Sequence, residues 1–304
     1  MDVRVWKLGI LGYPLGYSLS PLMHQAAFRR LADQGIRGTY EEYPVPPEGL
    51  EPWLTEQAPA LGLDGFNVTI PHKEAVFAWL KARDGFRYPE EEWIGAVNTV
   101  KIEQGRWQGH NTDARGFLDV FHRPEVRDRV GQGFRLDRAR AVLLGAGGSA
   151  RAVAFALIWH AKLGELVIWN RHRARADVLA SDMRQLCRQG AGRDCAIRVV
   201  EQVSAADLAE AQLLVNTVPV FEELLVDPES LSPGLVVYDL VYHPSWTALL
   251  KMAKRRGATV ISGLEMLASQ AALAFHIWLN DVRENVRPAM IDALREHVGD
   301  QWPQ

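Results

Sequence analysis

Ala141-Val142-Leu143-Leu144-Gly145-Ala146-Gly147-Gly148-Ser149-Ala150 is the stretch that decides how this chain folds. Four apolar residues read as a buried strand, and a G-x-G-x-x-A turn leads from it into a helix expected over 149–162. Gly145 permits the tight turn, Gly147 lets the backbone approach a pyrophosphate, and Ala150 lets helix and strand pack closely. The N–H groups opening the helix then face the phosphates, which brings Ala146, Gly148 and Ser149 into the same candidate site. A purely structural glycine turn has the same pattern; the strand before it and the helix after it favour the dinucleotide reading.

Downstream, the next strand, 165–169, ends in Trp169-Asn170-Arg171. A site for NAD normally places Asp or Glu here, against the ribose 2′-hydroxyl. This chain instead offers Asn170, Arg171, Arg173 and Arg175. Guanidinium groups pair with a 2′-phosphate that a carboxylate would repel, so the sequence predicts NADP over NAD. The same arginines are also compatible with a solvated helix start. Further strands are expected at 196–200, 212–216, 235–240 and 258–261, with helical segments between them. Such alternation specifies a parallel sheet covered on both faces, a Rossmann-type domain.

Upstream, strands are expected at 5–12, 38–45 and 65–70. Helices are expected at 22–31, entered through Ser20 as N-cap and Pro21, and at 48–58 and 73–81. The charged run 82–92 reads as a loop, 122–138 is polar and Arg-rich, and from Gly263 onward the chain reads as helix only. The fold class is therefore α/β in two domains. An N-terminal α/β domain, 1–112, is completed by C-terminal helices, 262–304, and a Rossmann-type domain spans 113–261.

Composition narrows the function classes. The 304 residues are 48% hydrophobic and 23% charged, with 34 Lys and Arg against 37 Asp and Glu. That balance gives no bulk attraction to nucleic acid or to an anionic membrane, so an anionic ligand must be bound by local groups. Cys187 and Cys195 fit neither a zinc pair nor a redox CxxC and are expected as free thiols. The run Met1 to Ile10 is too charged for a secretory signal, and no apolar run is long enough to span a bilayer. A cytoplasmic monomer or homodimer is expected. His24, His72, His110 and His243 have no ligand spacing with a carboxylate partner, so no metal is assigned.

Three further segments carry polar groups at turns. Ser18 and Ser20, between a strand and a helix, offer two hydroxyls to a small carboxylate; each also suits a plain turn or cap role. Lys73, after Asn67-Val68-Thr69-Ile70-Pro71-His72, opens a helix whose dipole disfavours a cation, which suits acid–base work. A solvent-exposed lysine is the alternative. Gly95-Ala96-Val97-Asn98-Thr99 and Gly109-His110-Asn111-Thr112-Asp113 place polar residues at turns, and Asp113 is also a possible helix cap.

Together these segments resemble the shikimate dehydrogenase family over nearly the whole chain. Tyr242-His243-Pro244 with Thr247, and Gly263 with Met266-Leu267 and Gln270, fit the same pattern. The resemblance implies reversible NADPH-dependent reduction of 3-dehydroshikimate to shikimate. It implies Lys73 and Asp113 as the catalytic pair, with Ser18, Ser20, Thr69, Asn98, Tyr242 and Gln270 around the substrate. It implies Leu240, Gly263 and Met266 at the nicotinamide, and Asn170, Arg171 and Arg175 at the adenosine 2′-phosphate. A paralogue acting on quinate or aminoshikimate, and a non-catalytic NADP-binding regulator, are the alternatives. The chain departs from the family at Asn216-Thr217-Val218-Pro219-Val220, where a glycine is missing, and at His172.

Overall fold

A computed structural model describes residues 4–189, 194–280 and 282–303. Met1 to Val3, the start of the charged N-terminal run, lie outside it. The chain divides into two compact units, 1–113 with 268–297 and 114–267 with 298–304. Residues 262–267 and 298–304, expected with the first unit, cluster with the second.

The first unit is built on a five-stranded mixed sheet in the order β2-β1-β3-β4-β5. Its strands are β1 (Val5–Gly12), β2 (Arg37–Pro44), β3 (Gly65–Val68), β4 (Thr99–Glu103) and β5 (Arg106–His110). β1 and β3 lie inside the sheet, so they are nearly continuous apolar runs; β2, at the edge, is mostly exposed. β3 ends at Val68, short of the expected Ile70, and after the turn through Pro71 the helix Lys73–Lys81 follows with Val76 and Leu80 on its buried face. Those two join Leu11, Trp53, Phe66 and Val100 in one core. On another side of the unit His24, on the helix Ser20–Arg30, stacks on Tyr40 at 4.2 Å and lies near Phe275 and Trp278 of the C-terminal helix Gly263–Trp278. Trp278 Nε1 donates to the Val100 carbonyl at 2.8 Å, directly against Gly65.

Three local expectations need correction. The β4–β5 hairpin shows in the sequence only as turns; its own turn is Gln104-Gly105, with φ of 52° and 76°, a left-handed pair usually announced by Asn-Gly. The run 82–92 contains the start of a helix, Pro89–Ile94, marked by proline in its first turn and by Glu90, Glu91 and Glu92 facing the dipole. Ser20 is the first helical residue and not the cap; the Ser18 hydroxyl accepts from the Ser20 N–H at 3.3 Å, so Ser18 serves that turn.

The second unit has a six-stranded parallel sheet in the order β11-β10-β9-β6-β7-β8. These are β6 (Arg140–Leu144), β7 (Glu165–Trp169), β8 (Ala196–Val200), β9 (Leu213–Asn216), β10 (Val236–Asp239) and β11 (Thr259–Ser262). Read from β8, this is the doubly wound Rossmann order, which reverses between β6 and β9. Val142, Val167, Leu214, Val237 and Val260 run across one core. Cys187 and Cys195 are free, and burial pushes the Cys195 thiol up to about 12. Among the described residues, no helix is long and apolar enough to cross a membrane, and no cluster of three His, Cys, Asp or Glu could hold a metal.

Two stability outcomes follow. A Cβ at Gly65 would sit 2.3 Å from Trp278 Nε1 and 2.6 Å from the Val100 carbonyl oxygen. Gly65→Ala should therefore destabilise the first unit by about 1–3 kcal/mol in chemical denaturation, as overpacking does; an unchanged midpoint would remove this contact from the core. His24 is fully buried, and desolvation drives its pKa from 6.5 down to about 3. Below pH 6.5 the unfolded chain takes up a proton that the folded protein refuses, so stability is lost as pH falls through that window. At pH 5 the loss through this one group should reach about 2 kcal/mol. His24→Phe, which keeps the stacked ring, should show a correspondingly shallower acid-side loss; identical pH slopes would contradict the assignment.

Candidate active site

Parallel pairing of β1 with β3 sets Leu11 opposite Val68, so the turns after both strands emerge at the same edge of the sheet. Antiparallel β4 begins there and β5 ends there. The Ser18–Ser20 turn, Thr69, Lys73, Asn98 and Asp113 thus come from four strand ends. The Thr69 N–H donates to the Leu11 carbonyl and the Tyr13 N–H to that of Ile70, which ties two of these turns together.

Lys73 Nζ lies 2.5 Å from Asp113 Oδ2, with the two side chains 12% and 6% exposed. An ion pair this far from water is retained only if its remaining lone pairs and protons are met. Asp113 Oδ1 accepts from Asn98 Nδ2 at 2.8 Å. Asn98 Oδ1 in turn accepts from the Thr112 N–H at 2.8 Å, which fixes the backbone just before Asp113. The Val97 N–H donates to the Lys73 carbonyl, fixing the other partner. Gln270 Oε1 faces Asn98 Nδ2 at 3.3 Å, so the C-terminal helix supplies one more polar group. The lysine is therefore not the solvent-exposed residue that the sequence left possible. Among the described residues neither the Ser20 nor the Thr69 hydroxyl is engaged by the protein, although Ser20 is only 5% exposed.

The sequence reading passes over Asn67 and Thr112. Asn67 accepts from Tyr40 Oη at 2.6 Å, and its amide donates to the Asn98 carbonyl and to Thr99 Oγ1, each at 3.1 Å. A polar residue inside a strand whose four residues are all buried is the available signal, because a buried amide must find partners.

In the second unit Gly145, Ala146, Gly147, Gly148, Ser149 and Ala150 form the turn between β6 and the helix Gly148–Phe155, at the point where the strand order reverses. Gly145 has φ of 119°, and a Cβ there would lie 2.1 Å from Thr217 Oγ1. Only glycine fits. Above Gly147 there is space for a ligand: its Cβ position meets nothing closer than Arg175 Nη2, at 4.0 Å. Helix-start N–H groups with a guanidinium beside them fit a dinucleotide phosphate. Arg171, Arg173 and Arg175 are all exposed beyond β7, and Arg173 pairs with Asp177 and Glu201. Asn170 turns inward on its own loop, its Nδ2 donating to the His172 carbonyl at 2.9 Å.

The loop that lacks the family glycine is shaped by Asn216, which accepts from the Val218 N–H and donates to Asp239 Oδ1 at 2.9 Å. Asp239 also accepts from the Val241 N–H and from Thr247 Oγ1. Burial pushes its carboxyl up to about 6, against the opposing pull of those donors. Neither strand-end role is visible in the sequence. Leu240 follows directly, and a Cβ on Gly263 would lie 2.3 Å from its carbonyl oxygen, so these two residues adjoin. Met266 lies one turn along the Gly263 helix, whose first turn is fixed by Glu265 pairing with Arg123 and Arg129. Tyr242, expected near the substrate, is a partly buried residue of the second unit.

Comparison with known proteins identifies the family. The model of the shikimate dehydrogenase substrate binding domain matches residues 10–100. The shikimate dehydrogenase (NADP(+)) of Methanopyrus kandleri is 39% identical over 97% of this chain and 98% of its own length. That of Symbiobacterium thermophilum is 43% identical over 95% and 92%. The crystal structure of shikimate 5-dehydrogenase from Thermus thermophilus in complex with NADP(H) and shikimate superposes with a TM-score of 0.76. It is 38% identical and covers 96% of this chain and 99% of that one. Full-length similarity at this level places the chain in the shikimate dehydrogenase family.

Proposed function

We propose that this chain is an NADP-dependent shikimate dehydrogenase that reversibly reduces 3-dehydroshikimate to shikimate. The observation that carries the reading is the secluded Lys73–Asp113 pair, 2.5 Å apart, at the sheet edge where Thr69 and the Ser18–Ser20 turn also emerge. NADP, when bound, supplies or accepts the hydride. Lys73 gives a proton from Nζ to the substrate oxygen during reduction and takes it back during oxidation. Asp113 orients Lys73 and, with Asn98, Thr69, Tyr242 and Gln270, positions the ring hydroxyls. Ser18 and Ser20 bind the substrate carboxylate. In this reading the first unit serves the substrate and the second the cofactor. Gly145 to Ala150 cradle the pyrophosphate, and Asn170, Arg171 and Arg175 surround the 2′-phosphate. Leu240, Gly263 and Met266 line the nicotinamide end. The cytoplasm is the proposed setting.

Initial rates with shikimate and with quinate, each with NADP and NAD, test the reading; it fails if quinate or NAD supports the faster reaction. Lys73→Ala should lower kcat by about 10²–10⁴-fold, the usual worth of general acid–base help, while calorimetry finds NADP affinity unchanged. Turnover near that of the wild type would overturn the catalytic role. Arg175→Ala should weaken NADP about 10–100-fold, as loss of a hydrogen bond to a charged group does, and leave NAD nearly unaffected. Equal weakening of both cofactors would reassign Arg175 to structure.

A further inference from the structure

A cavity lies wholly within the first unit. It has a volume of about 910 Å³ and is walled by the helix Lys73–Lys81, the segment after it, and the β4–β5 turn. Small-molecule sites typically occupy about 300–1,000 Å³. None of its lining residues belongs to the catalytic or cofactor groups above. Two features define its chemistry.

The first is aromatic. Trp79 and Trp107 have ring centroids 5.2 Å apart, and Phe86 lines the same space. Trp79 Nε1 is out of contact with solvent and has no acceptor among the described residues.

The second is cationic. Arg83, Arg87 and Arg106 line the cavity against one carboxylate, Asp84. Arg83 stacks over Trp79 at 4.1 Å, and its ion pair with Glu51 is a long, exposed one at 3.6 Å. Arg87 and Arg106 are exposed and take part in no ion pair among the described residues. Arg83 Nη1 also donates to the Trp79 carbonyl at 3.0 Å, so Arg83 is held on the indole and the exposed guanidiniums of Arg87 and Arg106 are the ones open to a carboxylate fork.

We infer that this cavity is a binding site for a planar aromatic carboxylate, whose ring packs against the Trp107 and Phe86 side of the cavity while its charge meets Arg87 and Arg106. The inference is independent of the catalytic reading. Isothermal titration of the full chain with 4-hydroxybenzoate tests it. Saturable binding at one site is expected, weakened at least about tenfold, roughly 1.4 kcal/mol, in Arg87→Glu/Arg106→Glu. Both residues are exposed, and circular dichroism checks that the variant is folded. Binding should persist in Ser18→Ala/Ser20→Ala, and cyclohexanecarboxylate, which has charge without a flat ring, should bind at least about tenfold more weakly. The site is refuted by absence of binding, by binding that survives the arginine reversal, or by binding lost in the serine variant. Equal affinity for the saturated acid refutes the aromatic wall.

Discussion

Everything in the first unit is arranged around withdrawing two opposite charges from water without leaving either unmet. Lys73 and Asp113 are 40 residues apart in sequence and 2.5 Å apart in space. Breaking a buried pair by removing one partner leaves a bare charge, a penalty of about 3–5 kcal/mol. The protein therefore secures both sides. Asn98 grips the second carboxylate oxygen, Asn67 braces the Asn98 carbonyl, and Tyr40 braces Asn67. The antiparallel turn of β4 and β5 exists in this scheme to return the chain to the edge where β1 and β3 finish. Without it, Asp113 could not meet Lys73.

The second unit solves a different problem. The turn after β6 needs bare backbone, so Leu144 is followed by a glycine that no side chain could replace. Its shape is completed from the neighbouring strand: Thr217 Oγ1 donates to the Leu144 carbonyl at 2.8 Å. Asn216 and Asp239 brace the loop from β9 and β10. The loop that lacks the family glycine is held by side-chain hydrogen bonds at the strand ends.

The glycine turn after β6 was legible because its residues report local backbone demands. So was the parallel alternation, because strands buried on both faces leave continuous apolar runs. The hairpin escaped notice because Gln104 occupies a position where asparagine is the usual marker. The helix at Pro89 was hidden by its own charges, which look like a loop until they are read as dipole partners. The proximity of Lys73 to Asp113 could not come from spacing at all; it came from family resemblance, and only the strand order gives it a physical cause. Asp239 was silent for a related reason, since a carboxylate at a strand end reads as a turn residue until its three donors are in place.

The side-chain amide of Asn98 is oversubscribed. Its nitrogen carries two hydrogens, yet three acceptors surround it: Thr112 Oγ1 at 2.9 Å, Asp113 Oδ1 at 2.8 Å and Gln270 Oε1 at 3.3 Å. One claim is always surplus, and the longest is that of Gln270. That oxygen also faces Thr112 Oγ1 at 3.5 Å, so Gln270 can loosen its hold on Asn98 and still keep a partner. A side chain held by two long bonds is the member of this cluster that yields most cheaply.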